Sequence, residues 1–416
     1  MPDPAGNRDL ALRPVALISG SRSAWPRPKD LKYDIAGWLL SRIRSTDPWL
    51  QALVSKEGGA RETAAGWEAG TSTKRGSKES KSWKLPFLKG LKVAGIGADF
   101  ASRALLPDWW EDECWHDPRL AQELEIRVAR FLGCPLQEIA EGRFPTRVPQ
   151  QGVKLRRARG TDRRRLSAAI HAALKIAEAA ARNLRPGSGE KSPGRPPQDA
   201  FRWRGEVCPS GGPPSLRAIA SDLWARGIPV LPLEVTPGPS FQGMACLAEG
   251  RPVILLGHRH DEPGRASFVV AHEAGHIAWG DCEPGRPVVD ADEEIADDAS
   301  EEVRADQYAA SVLMGGAQPP SAADGSLRDF KNLAKRAAEI ERQGDAEATS
   351  AIFAWASQTR DYATATMAVK ALYRAKGARQ QLREMAAEHL DAANAPETDR
   401  ALLRCVTEQP PDESGI

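Results

Sequence analysis

The pentapeptide His272-Glu273-Ala274-Gly275-His276 constrains this chain more than any other stretch. On a helix, a spacing of four residues puts two imidazoles on one face, a turn apart. Two neutral imidazoles placed that way can hold one zinc ion at about 2.0–2.1 Å each. Glu273 lies next to His272, about 100° further round the helix. It cannot share the metal in the same way, but it can reach a water on it, which is the position of a general base in metal-assisted peptide hydrolysis. The competing reading is a helix whose histidines are merely packed or exposed.

A catalytic zinc needs a third protein ligand and an open fourth position. Downstream stands Glu302-Val303-Arg304-Ala305-Asp306. On a helix from about Glu294 to Met314, the residues Ile295, Ala299, Glu302, Asp306, Ala309 and Leu313 fall in one stripe. Two carboxylates in an apolar stripe are costly to bury unless something pairs with them. Zinc would pair Glu302, and Asp306 would accept an N–H from a ligand histidine. A neighbouring stripe through Asp298, Glu301, Ala305, Tyr308 and Val312 keeps Glu301 as the alternative. Cys282 stands six residues after His276, where some zinc peptidases carry a ligand. The glycine such a turn requires is replaced by Trp279, so a buried or loop thiol is the better reading. One zinc per chain is expected. Arg265, His260 and Tyr308 are possible substrate or oxyanion contacts by sequence proximity alone. His258 and His260 also read as ordinary loop residues.

The residues ahead of the pentapeptide supply a setting. Ser215 can cap a helix through Ala225, and Gly227 ends it. Strands are expected over Ile228–Val235, Phe241–Leu247 and Pro252–Leu256, the last two separated by Glu249-Gly250, with the histidine helix opening at Phe268. A helix, a small sheet and an active helix make the first half of a zincin, in which an edge strand holds substrate as an added strand. The expected fold class is therefore α+β: a small zincin-like mixed domain carrying the HExxH helix, flanked by largely helical N- and C-terminal regions.

The rest of the chain divides by composition. Residues 1–106 are Trp-rich and of unclear fold, with a helix over about Asp30–Ile43 and a flexible Gly/Ser/Lys segment near 69–84. Residues 107–184 read as a helical module: Leu120, Leu124, Val128 and Phe131 have core spacing, and a helix over Asp162–Asn183 follows. Val128–Gly142 is half of a helix-turn-helix signal, and a structural module is the preferred reading over DNA contact. The basic run from Lys154 to Arg165 is more often a solvated face than a nucleic-acid site. Residues 185–200 are a Pro/Gly linker, 201–316 the metal domain, and 317–416 a helical domain, with the residues after Pro396 weakly ordered.

A net charge of +1 gives no global pull toward nucleic acid or membrane. The six cysteines are scattered, with no CxxC pair, which fits a reducing cytoplasm. Asp9, Arg13 and Pro14 argue against a secretory signal at the first apolar stretch, and no apolar run is long enough to span a membrane.

The combination of His272-Glu273-Ala274-Gly275-His276 with Glu302-Val303-Arg304-Ala305-Asp306-Gln307-Tyr308-Ala309-Ala310-Ser311-Val312-Leu313-Met314 resembles the ImmA/IrrE-type zinc metallo-endopeptidases. The resemblance covers about Pro214 to Met314. It implies that His272, His276 and Glu302 are zinc ligands and Glu273 the base. It also implies a substrate class, helix-turn-helix transcriptional repressors cut to release stress-response or mobile-element genes. Two positions depart from the family pattern: Gly315 stands where a proline usually follows, and Asp306 replaces the commoner Asn. A DNA-associated regulator that uses the zinc domain as sensor or scaffold is the rival reading, and a C-terminal partner-binding protein is a third.

Overall fold

A computed structural model describes residues 82–145, 154–155, 163–188, 194–233, 241–257, 261–291, 300–344, 346–372 and 376–409. The helix expected at Asp30–Ile43, nearly all of the 69–84 segment, most of the basic run, and His258 and His260 lie outside these residues.

The described chain is a mixed α+β structure. Helices α1 (Lys84–Val93), α2 (Pro118–Leu132) and α3 (Leu136–Ala140) come first. Strand β1 (Lys154–Leu155) and the long helix α4 (Arg163–Arg182) follow, then α5 (Ala200–Val207) and α6 (Leu216–Ala225). Strands β2 (Val230–Pro232), β3 (Phe241–Ala248) and β4 (Arg251–Leu256) lead into α7 (Pro263–Trp279), β5 (Val288–Ala291) and α8 (Ser300–Met314). Five helices close the chain: α9 (Phe330–Gln343), α10 (Ala348–Thr359), α11 (Tyr362–Ala371), α12 (Ala378–His389) and α13 (Glu397–Thr407). No described helix is long and apolar enough to cross a membrane.

The five strands form one sheet in the order β1-β5-β3-β4-β2. β3 and β4 are an antiparallel hairpin joined by Glu249-Gly250, both at positive φ (51° and 73°), the conformation that suits a two-residue hairpin loop. β2 runs parallel to β4, and β5 antiparallel to β3. β3 is therefore an interior strand, with neighbours on both sides. The segment following α7 folds back as β5 on the open side of β3, so the edges of the sheet are β1 and β2. Residues 243 to 246 of β3 are all buried, so both faces of the hairpin are covered, and α4 and α7 pack on it.

Local chemistry explains the element ends. Asp117 caps α2 through the Arg119 N–H, Pro118 occupies its first position, and Gly133 ends it at φ 62°. Ser215 Oγ accepts from the Ala218 N–H at α6. Helix α7 begins at Pro263, five residues before Phe268, because proline suits the first helical turn.

Segments that composition separates share one core. Leu124 and Phe131 of α2, Ile176 of α4, Val270 of α7, Trp355 of α10 and Leu403 of α13 belong to one continuous apolar cluster, all within the compact unit Glu79–Ile416. The end of the expected linker is packed too: Pro196 is buried and Asp199 caps α5. The residues after Pro396 depart from expectation. Glu397–Thr407 forms α13, with Leu403, Cys405 and Val406 buried and Asp399 paired to Arg182 at 2.9 Å. Its buried stripe, which includes Asp399, packs on α4 and on the π-helical turn Ala101–Leu105.

Candidate metal centre

Helix α7 is buried over nearly its whole length, and α8 crosses it at Gly275. A Cβ at Gly275 would stand 3.2 Å from Tyr308 Cδ1 and 3.3 Å from the Ala305 Cα. The missing side chain therefore lets the two backbones approach closely, and this brings Glu302 to the histidines.

The three donor groups meet. His272 Nε2 and His276 Nε2 are 3.2 Å apart. His272 Nε2 lies 3.3 Å from Glu302 Oε2, and His276 Nε2 lies 3.5 Å from Glu302 Oε1. Ligands at about 2.0–2.1 Å in a tetrahedral arrangement stand roughly 3.3 Å from one another. The two ring nitrogens stand about one tetrahedral edge apart, with one Glu302 oxygen facing each of them, so these residues can hold a metal ion.

The outer nitrogens fix how the rings present themselves. His272 Nδ1 donates to Asp306 Oδ1 at 2.9 Å, and His276 Nδ1 donates to Asp281 Oδ2 at 2.9 Å. With both Nδ1 atoms protonated, a neutral ring turns its Nε2 lone pair toward the centre. The carboxylates are held in turn: Arg360 Nη1 donates to Asp306 Oδ2 at 3.0 Å, and Arg304 Nη2 to Asp281 Oδ1 at 2.8 Å. Arg304 also lies over the Trp279 ring, 4.7 Å from its centroid.

The electrostatics ask for a cation. Burial alone would push the His272 pKa down, yet the hydrogen bonds to Asp306 and Glu302 hold it well above its ordinary value. His276 is raised in the same way, burial being outweighed by Asp281 and Glu302. Burial pushes the Glu302 carboxyl up, and its contacts with the two histidines overcome this and hold it far below the usual range.

Glu273 is fully buried, on the β3 side of α7. A Cβ at Gly243 would come within 2.3 Å of Glu273 Oε1 and 2.7 Å of Val269 Cγ1, so the glycine leaves this carboxylate its space.

The other candidates are placed elsewhere. The Tyr308 hydroxyl donates to the Pro197 carbonyl at 2.7 Å, and its ring stacks on Trp203. Arg265 is buried between β3 and α10, donating to Gln242 Oε1 at 3.2 Å with its guanidinium over Phe353. Glu301 and Cys282 are not in the metal-ligating group. Three participants were not legible at the sequence level: Asp281, Arg304 and Arg360. For Asp281 a signal existed. Gly280, at φ 82°, ends α7 in the left-handed turn that folds the next residue back onto the last helical turn, and the Asp281 N–H bonds the His276 carbonyl at 2.9 Å. Compared with known proteins, the chain matches no family model, no curated protein and no solved structure.

Proposed function

We propose that this chain is a zinc-dependent endopeptidase of the ImmA/IrrE type, with a zincin-like site that takes one zinc per chain and works in the cytoplasm. The observation that carries this reading is the meeting of His272, His276 and Glu302: the ring nitrogens are 3.2 Å apart, and the two Glu302 oxygens lie 3.3 and 3.5 Å from them, spacings that suit zinc. Two imidazoles and one carboxylate are also a donor set that zinc peptidases use. When bound, zinc supplies Lewis acidity, bringing the pKa of a water toward about 7 and polarising a peptide carbonyl. Glu273 accepts the proton of the attacking water and passes it to the leaving amine. Asp306 and Asp281 keep the Nδ1 protons of His272 and His276 in place, so that both rings stay fixed through the reaction. None of the six cysteines forms a disulfide, which fits a reducing compartment.

The substrate class follows from the resemblance alone: an intracellular regulatory protein such as a helix-turn-helix repressor. A second reading, a DNA-associated regulator with the zinc site as scaffold, draws on one observation. Pairing of β3 on both sides leaves no room there for an added substrate strand.

One comparison separates the two. Protein termini are mapped in cells carrying the intact chain and its Glu273→Gln form, and the zinc content of both proteins is measured. The peptidase reading expects new termini only with the intact chain, and equal zinc in both. Identical termini with zinc retained would leave the scaffold reading standing.

A further inference from the structure

Asp306 has two oxygens and little water: its side chain is 9% exposed. A desolvated carboxylate is costly unless both oxygens are engaged. Oδ1 takes the Nδ1 proton of His272, and Oδ2 takes Arg360 Nη1 at 3.0 Å. Arg360 is 54 residues further along the chain, in a region whose described residues include none of the metal-ligating group.

The backbone at Arg360 is unusual in a way that serves this contact. Its φ is 60°, and among the described residues only Glu249 is another non-glycine at positive φ. A left-handed conformation is unfavourable for a side-chain-bearing residue, because its Cβ crowds the following carbonyl oxygen. Neighbouring bonds fix it: the Arg360 N–H meets the Ala356 carbonyl at the end of α10, and Asp361 caps α11 through the Thr364 N–H at 3.0 Å. The tight α10–α11 turn thereby sends the Arg360 side chain back to α8, on which α10 packs. Glycine or asparagine would fill such a turn without strain. An arginine there, bonded to the carboxylate that orients His272, is chosen for its side chain.

We infer that Arg360 is a positioning residue of the metal centre: it fixes the Asp306 carboxylate, which fixes the His272 ring, so that the C-terminal helices are part of the site. The inference rests on the metal-centre reading and adds a residue from outside the HExxH segment. It concerns orientation, since Arg360 touches neither the metal position nor Glu273.

The test uses the full-length chain. Zinc affinity is measured by competition with a chromophoric chelator, and ligand geometry by the visible spectrum of the cobalt(II)-loaded protein. Variants are Arg360→Ala, Arg360→Gln, Arg360→Lys and Arg360→Gly. Loss of an outer hydrogen-bond partner of a metal ligand typically costs about 10–100-fold in affinity. Ala, Gln and Gly should each weaken zinc binding within that range and alter the cobalt spectrum, while Lys, which keeps a charged donor, should recover most of the loss. Gln answers the same question if Ala does not fold. Wild-type affinity and spectrum in Ala or Gln would overturn the proposal. So would full affinity in Gly, because the residue would then matter only for its turn. A wild-type chain that takes up no zinc would overturn the metal-centre reading itself.

Discussion

Helices α7 and α10 are both buried on nearly all sides, and they touch each other. Fifteen of seventeen residues are buried in α7, and ten of twelve in α10. A helix apolar all round is the ordinary way to fill a core, and α10 follows that rule. Its buried polar residues, Thr349, Ser350 and Ser357, are small, and hydroxyls can return to the helix itself: Ser357 Oγ donates to the Ala354 carbonyl and Thr359 Oγ1 to the Trp355 carbonyl. Helix α7 has the same burial with a different content. Ser267 bonds back to Pro263, but Arg265, His272 and His276 reach β3, α8 and the loop after α7. Buried polar groups whose partners lie on other elements cannot be explained as packing. In α7 the two histidines converge on one point with Glu302, and that convergence marks a site.

The comparison can be broken most severely from the packing side. Trp355 is 1% exposed at the centre of α10, and Trp355→Ala should destabilise the fold by about 3–5 kcal/mol. Urea unfolding measures the loss. If the account is right, the folded fraction keeps its zinc affinity to within a few-fold, because none of the metal contacts runs through this indole. A strong loss of affinity in the folded state would mean that α10 shapes the site through its core.

A smaller effect is expected where the two helices meet. A Cβ at Gly264 would stand 2.5 Å from Thr349 Cβ. Gly264→Ala should cost about 1–3 kcal/mol by overpacking, and adding Thr349→Gly should recover part of it. A double-mutant cycle reads the coupling. Additive costs would show that the contact is not the source of the penalty.

The third effect is one of pH, and it belongs to α7 alone, since α10 contains no ionisable side chain. The His272 pKa is raised in the metal-free fold, burial being outweighed by Asp306 and Glu302. Stability from this source is therefore full below about 6.5, the ordinary histidine value, and is lost as pH rises through the raised one. Zinc must displace the same proton, so zinc affinity should increase with pH across that window. Each displaced proton contributes about 1.4 kcal/mol, or tenfold, per pH unit. Calorimetry in buffers of different ionisation enthalpy counts the protons, and a pH-independent affinity would contradict the assignment.

These contrasts also show what the sequence could reveal. Periodicity sufficed for α2, α4 and α6, and the four-residue histidine spacing led to the paired rings of α7. Asp306 was legible because it sits one turn from Glu302 in an otherwise apolar stripe. Arg360 was not: nothing local links it to a residue 54 positions earlier, and only the α10–α11 turn makes the contact. Asp281 was hidden among other acids, and Cys282 next to it drew the attention. Helix α13 was misread as weakly ordered because Glu397, Asp399, Arg400 and Arg404 dominate its composition, while its buried stripe has meaning only beside α4. For Tyr308, adjacency in sequence gives no direction. Its position on α8 points the hydroxyl at Pro197.

The most direct measurement of the central claim is zinc stoichiometry in three proteins: the intact chain, Glu302→Ala and Glu301→Ala. Glu302 faces His272 and His276 with one oxygen each, whereas Glu301 stands beside it without joining the metal-ligating group. Elemental mass spectrometry after zinc-replete purification and dialysis should find one zinc per chain in the intact protein and in Glu301→Ala, with most of it lost from Glu302→Ala. Zinc held equally by all three proteins, or lost only from Glu301→Ala, would contradict the assignment of His272, His276 and Glu302 as the metal centre.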